Sequence, residues 1–249
     1  MTERKVINPG SALGEAIGKL IEADLAAAVR QVAELFHCAV HSATLRNHLG
    51  NRHQIDTVVS DSENKPVILI EPKYLRYKKH NWDKGSRLCI AHYSLRRTYP
   101  SIRKSIGVLA GEWTDASLRF IQSFGVETHR VPFDHIADIL GQYGILFRWD
   151  EKDTRTPAKA WQRFCQLSGE EQTEMATALT DPVCQAVKQS VETTLRSDPN
   201  APKRVETVEL SIRTSEGEHL VYSFDSVSEA IQRLLAFVRD IEDLRHYLR

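Results

Sequence analysis

The 249 residues carry 33 basic and 33 acidic side chains, so the formal net charge is zero, and the 41% hydrophobic content is that of an ordinary globular chain. A chain of this length can bury one large domain, with or without an appendage. No apolar run nears the ~18 residues of a membrane helix, MTERKVINPGSALGE has no secretory apolar segment, and Cys38, Cys89, Cys165 and Cys184 lack CxxC spacing, which together argue against a bilayer span, an export signal, a zinc ribbon and a disulfide framework, and for a cytoplasmic protein.

In chain order, Leu13, Ile17, Ile21, Leu25, Ala28, Val32 and Leu35 recur at three- and four-residue steps and predict an amphipathic helix over 13–36, with Ser11 as its cap. Residues 38–44 read as a short strand and RNHLGNRHQ as a loop. IDTVVS (55–60) and PVILIEPKYL (66–75) read as strands joined by the turn stretch DSENK, a β-hairpin. The second is apolar on both faces up to Ile70, as expected inside a sheet. A helix over 83–97, a strand over 105–111, a helix over 115–124, a strand over 126–132 and a helix over 133–140 follow. This order predicts an α/β fold, a mixed β-sheet core flanked by helices, over residues 10–140.

Beyond residue 150, Thr156-Pro157 opens a helix carrying Trp161, Phe164 and Leu167. Ser168 and Glu171 form a capping box for a helix through Leu179, and Asp181-Pro182 starts a third. RSDPNAPK (196–203) reads as a linker, VETVELSIRTSEGEHLVYSF as two strands about a Ser-Glu-Gly turn, and Ser226 onward as a closing amphipathic helix. The expected division is a core over 1–148 and a C-terminal α+β extension over 149–249, suited to recognition or dimerisation.

The chemistry concentrates on the first hairpin. With its turn centred between Glu63 and Asn64, Asp56 falls opposite Glu71, and Lys73, two residues on, shares the Glu71 face. Paired carboxylates suit a hard divalent cation. An adjacent lysine can stabilise charge developing at phosphorus, or position and deprotonate a water. A plain Asp–Lys salt bridge on a surface hairpin is the alternative. Downstream, Lys73 to Lys104 contains ten Lys/Arg and one acid, Asp83. Such a basic segment is what phosphate binding requires, and a solvated basic face is its bland counterpart. Pro72 cannot donate a ladder hydrogen bond and pushes Glu71 toward extended geometry, so a strand end or bulge is expected there.

Ile55-Asp56 at the start of one strand and Ile70-Glu71-Pro72-Lys73 at the end of the next resemble the PD-(D/E)XK nuclease superfamily, over residues 10–140. The resemblance implies a restriction-endonuclease-like fold and a Mg²⁺-dependent endonuclease acting on double-stranded DNA, with Mn²⁺ able to substitute. Asp56 and Glu71 would ligate the metal, the Pro72 carbonyl would complete its shell, and Lys73 would act on the water. Glu22, on the Glu15–Gly18–Glu22 stripe of the first helix, would orient metal-bound water or hold a second metal, with Glu15 as its rival. Gly18 would let that stripe approach the sheet. Arg76, Lys78, Lys79, Lys84 and Arg87 are candidate phosphate contacts, with Arg96, Arg97, Arg103 and Lys104 extending the track. Tyr74, Tyr77 and Trp82 are candidates for stacking on bases or for core packing. A restriction-type homodimer is the first expectation. A structure-specific repair or junction nuclease, a catalytically silent nucleic-acid-binding protein of the same fold, and an interaction module working through its C-terminal segments are the alternatives.

Overall fold

The computed structural model describes residues 8–150, 152–202 and 204–236; the first seven residues and residues 237–249, part of the expected closing helix, lie outside them. The chain divides into two compact units, with the boundary between Ser197 and Asp198.

The first unit opens with α1 (Pro9–Glu34). Its N-cap is Asn8, whose side-chain oxygen accepts the Ser11 N–H at 3.2 Å, and Pro9 occupies the first turn, where a missing N–H costs nothing. Ser11, the expected cap, therefore lies inside the helix. The buried stripe runs Leu13, Ile17, Ile21, Leu25, Val29, Val32 and Ala33, whereas Leu35 is 76% exposed. At 3.6 residues per turn the stripe drifts off positions 28 and 35 and onto 29 and 33.

β1 (Ala39–Arg46) and β2 (Arg52–Ser60) form an antiparallel pair, closed where the Asn47 N–H reaches Asn51 O at 2.9 Å and Gly50 adopts φ +81°. Part of the stretch expected as a loop is thus strand. β1 is a largely exposed edge strand, and the strand residues expected as loop, Arg46 of β1 and Arg52, His53 and Gln54 of β2, are polar and give no apolar run to read. β3 (Pro66–Leu75) pairs antiparallel with β2, and in the turn between them Asp61 Oδ1 accepts the N–H groups of Glu63 and Lys65.

α2 (Asn81–Thr98), β4 (Lys104–Gly111), α3 (Asp115–Ser123), β5 (Glu127–Pro132) and α4 (Phe133–Gln142) follow. β4 lies parallel to β3 and β5 parallel to β4, so the sheet is mixed and five-stranded, in the order β1-β2-β3-β4-β5. Parallel neighbours need crossovers, which α2 and α3 supply. Gly111 ends β4 at φ +94°, where a Cβ would stand 1.9 Å from the Leu75 carbonyl oxygen, so no other residue fits.

Helices cover both faces. Ile68 and Ile70 of β3, Ile106 and Val108 of β4 and Val131 of β5 pack with α1, α4, α5 (Arg155–Phe164) and α6 (Gly169–Arg196). Leu69, Leu75 and Leu109 pack on the opposite face with residues of α2 and α3. Val183, Val187 and Val191 of α6 belong to the same core as the α1 stripe, so α5 and α6 are part of the first unit. The division expected at 148/149 thus lies at 197/198, because α5 and α6 bury their apolar faces on α1.

α6 is one helix where two were expected. Pro182 lies inside it and removes the N–H that would reach Ala178 O. That carbonyl faces the His135 Nε2 of α4 at 2.9 Å, so the orphaned acceptor is satisfied from outside the helix. The second unit contains the expected hairpin of β6 (Val208–Arg213) and β7 (His219–Phe224), turning at Gly217 with φ +90°, and a helix described from 227 to 236. Among the described residues no helix is long and apolar enough to cross a membrane.

Candidate active site

The β2–β3 ladder has the expected register, Thr57 opposite Ile70 and Val58 opposite Leu69, and stops there. One step further in that register places Asp56 against Glu71, where β3 continues along β4 alone: Glu71 beside Gly107, Pro72 beside Val108, Lys73 beside Leu109. On its other side β2 carries a bulge. His41 pairs with Val58 and Ala43 with Ile55, so Asp56 and Thr57 together oppose Ser42. A bulge of this kind re-aims a side chain and strengthens local twist.

Pro72 fits because of its parity. Val67 and Leu75 direct their carbonyls toward β4, accepting the N–H groups of Arg103 and Glu112 at 2.8 Å each. Residues of even number between them therefore turn their backbone polar groups toward β2. Pro72 lacks an N–H where the ladder has already ended, and its carbonyl oxygen is directed into the opening between the strands.

Three side chains meet at this opening. The Lys73 ammonium stands 2.9 Å from Asp56 Oδ2 and 2.8 Å from Glu71 Oε1. Burial alone would favour the neutral lysine, but Glu71 and Asp56 outweigh it and raise its pKa, so it is an ammonium at neutral pH. The Lys73 carbonyl accepts the buried Trp113 Nε1–H at 3.3 Å, which anchors the strand end. Glu22 of α1 is half-buried and joins the same electrostatic group. Burial, and after it the Asp56 carboxylate, raise its pKa, against the opposing pull of Lys73. Glu15 is instead exposed and paired with Lys19 at 2.8 Å. Gly14 and Gly18 make room for Tyr74, whose ring carbon would sit 3.1 Å from a Cβ at Gly14.

The other oxygen of Glu71 points inward. Oε2 lies 3.0 Å from Nε2 of His92, a fully buried side chain of α2, in an oblique approach that leaves both atoms without an aligned hydrogen bond. Burial pushes the Glu71 carboxyl up; His92 and Lys73 outweigh it and hold it below the usual carboxylate range. His92 was missed by sequence reasoning. Its one signal was position, between Leu88 and Leu95 on the buried stripe of α2, where an apolar residue is expected. Asn81 was missed as well: buried at the start of α2, it donates to Lys78 O and Glu112 O and accepts from Thr114 N and Ser117 Oγ.

The candidate phosphate contacts separate into two groups. Arg76 donates to Phe147 O at 2.9 Å and Trp149 O at 3.3 Å and lies 3.6 Å from the Trp149 ring centroid, a structural clamp. Arg96 donates to Phe124 O and Gly125 O, Arg103 to Ser197 O, and Lys104 pairs with Glu127. Lys78, Lys79, Lys84 and Arg87 are exposed, Lys78 within 3.4 Å of Glu112 and Arg87 within 3.1 Å of Asp83. Of the aromatics, Tyr74 packs on the main core beside Phe147, while Trp82 is 56% exposed and edge-on to Phe120.

A cleft of about 780 Å³ opens beside this cluster, bounded by the start of α1, the end of β3, Lys84 and the segment 153–157. Glu22, Pro72 and Lys73 line it. Among the described residues no three His, Cys, Asp or Glu side chains assemble as a ready-made metal site.

No family model and no curated protein matches the chain. One solved structure, the crystal structure of a protein of unknown function, AF1548, is similar at 10% identity and a TM-score of 0.33, covering 71% of this chain and 98% of that one.

Proposed function

We propose that the chain is a divalent-metal-dependent nuclease of the PD-(D/E)XK type, cutting the DNA backbone at the opening between β2 and β3. The observation that carries this reading is the Lys73 ammonium held between Asp56 and Glu71 where the hairpin ladder ends, beside a cleft. The element order, one helix, three strands and then two helix–strand crossovers, with the acids on the central hairpin, supports a restriction-endonuclease-like fold for the first unit.

The donor set fits a hard cation. Two carboxylates and a backbone carbonyl oxygen are the ligand types Mg²⁺ takes, and Asp56 Oδ2 and Glu71 Oε1 already converge on one positive charge, the Lys73 ammonium. Asp56, Glu71 and the Pro72 carbonyl would hold the ion, which would supply Lewis-acid charge and an activated water. Lys73, kept protonated by its neighbours, serves best as a fixed positive charge for the phosphate in its transition state. Glu22, whose carboxylate burial and Asp56 make more basic, would take a proton from a water. Lys84, which lines the cleft, and the exposed Lys78, Lys79 and Arg87 would hold phosphates by charge.

The silent-binding alternative draws on the same geometry, since Lys73 pairs with both Asp56 and Glu71 as they stand and so offsets part of their charge. The test is incubation of supercoiled plasmid, phage DNA and branched DNA with wild type, Asp56→Ala and Lys73→Ala, in Mg²⁺ and in EDTA. Mg²⁺-dependent cutting lost in both variants is the expected result, and discrete fragments would favour restriction. Binding without cutting across all substrates would overturn the nuclease reading in favour of the silent one.

A further inference from the structure

His92 stands apart from the residues given a role above. Its side chain is 0% exposed, and neither ring nitrogen has a hydrogen-bond partner. The neighbours it keeps on the α2 stripe, Leu88 and Leu95, are apolar and fully packed. A buried imidazole without a bond is costly, and so is a buried carboxylate oxygen; each loses water and gains nothing unless the two compensate each other. Here they lie 3.0 Å apart, Nε2 against Glu71 Oε2, while Oε1 of the same carboxylate faces Lys73 at 2.8 Å. The carboxylate is thus held at both ends, by α2 from within the core and by Lys73 from the side of the opening.

We infer that His92 is a positioning residue: through Glu71 Oε2 it fixes the plane of the Glu71 carboxylate, so that Oε1 is presented to the cation and phosphate. The inference rests on the reading of Asp56, Glu71 and Lys73 as a metal-nuclease centre. A leucine would serve a purely structural core position at least as well, because it packs without unsatisfied polar atoms. Partners that orient a metal-holding group change metal affinity or activity by about 10- to 100-fold when removed.

The experiment compares wild type, His92→Leu and His92→Gln by calorimetric titration with Mg²⁺ and with Ca²⁺, by DNA cleavage at saturating and limiting DNA, and by thermal unfolding in EDTA. The expected result is that His92→Leu unfolds no earlier than wild type, yet binds either ion about tenfold more weakly. Its kcat falls while KM for DNA stays unchanged. His92→Gln, which keeps an N–H donor, recovers part of both losses. Equal ion affinity and equal kcat in wild type and His92→Leu would overturn the inference and leave His92 as core filling. If His92→Leu fails to fold, His92→Met takes its place: weaker ion binding and a lower kcat than in both wild type and His92→Gln support positioning by an N–H donor, and values no lower than those of either overturn it. Failure of the nuclease reading is told apart because wild type itself would then bind neither ion and cut no DNA, and the inference would fall with it.

Discussion

At the tip of β3, Arg76 donates to the carbonyls of Phe147 and Trp149 and stacks over the Trp149 ring, while Lys84, eight residues on in the same basic stretch, lines the cleft with an exposed side chain. Charge alone does not distinguish them; occupation of the donors does. Arg76→Ala removes two charge-assisted bonds and a ring contact and is expected to cost about 2 kcal/mol of stability. It should leave the salt dependence of DNA binding unchanged at equal folded fraction. Lys84→Ala should change stability by less than about 0.5 kcal/mol and lower the slope of log affinity against log salt by about 1. Chemical unfolding and binding across a salt series measure both. A shallower salt slope for a fully stable Arg76→Ala would return Arg76 to the phosphate contacts.

Between elements, the clearest tie joins β4, β5 and α6. Glu127 of β5 pairs with Lys104 of β4 and with His129 at 2.6 Å, and accepts the Ser190 Oγ–H of α6 at 3.0 Å. Burial pushes its carboxyl up, but the hydrogen bonds from Lys104, His129 and Ser190 outweigh this, and its pKa is lowered below 4.5. A carboxylate with a depressed folded-state pKa contributes stability that is present above the unfolded value and lost as pH falls through the folded one. Glu127→Gln should therefore be less stable than wild type near neutrality, and the gap should close as pH drops below 4.5. Urea midpoints along a pH series measure it; a gap independent of pH would mean that packing, and not charge, makes the tie. The second inter-element device, His135 covering the carbonyl freed by Pro182, explains how one helix crosses a proline.

Across the whole molecule, the boundary at 197/198 has a consequence for truncation. A chain ending at Ser197 keeps α5 and α6 on α1 and should unfold cooperatively, with a thermal midpoint close to that of the full protein. Ending at residue 148 strips Leu25, Val29 and their neighbours of the α6 valines and should give an aggregating or unfolded product. Thermal unfolding and sizing chromatography of the two fragments test this, and a folded, monomeric 1–148 fragment would refute the assignment of α5 and α6. Among its described residues the second unit holds a two-stranded hairpin and a helix, with Val221, Val227, Ile231, Leu234 and Leu235 largely exposed, so this unit is where to look for association.

Much of this was written in local pattern. The α1 stripe, the β2–β3 register that sets Asp56 against Glu71, the α/β order and the distal hairpin follow from periodicity and turn chemistry, which act over a few residues and so survive in a single sequence. What only the tertiary structure decided depends on groups distant in the chain. Asn8 capping α1 in place of Ser11 is the local exception. Arg76 became a clamp because Phe147 and Trp149 arrive beneath it, Pro182 was tolerated because α4 carries His135, and α5 and α6 joined the first unit because their apolar residues share one core with the α1 stripe. His92 reads in sequence as one histidine among ten. It meets Glu71 only because the crossover from β3 to β4 lays α2 against the sheet, and burial there turns a surface-like residue type into a partner of the central carboxylate.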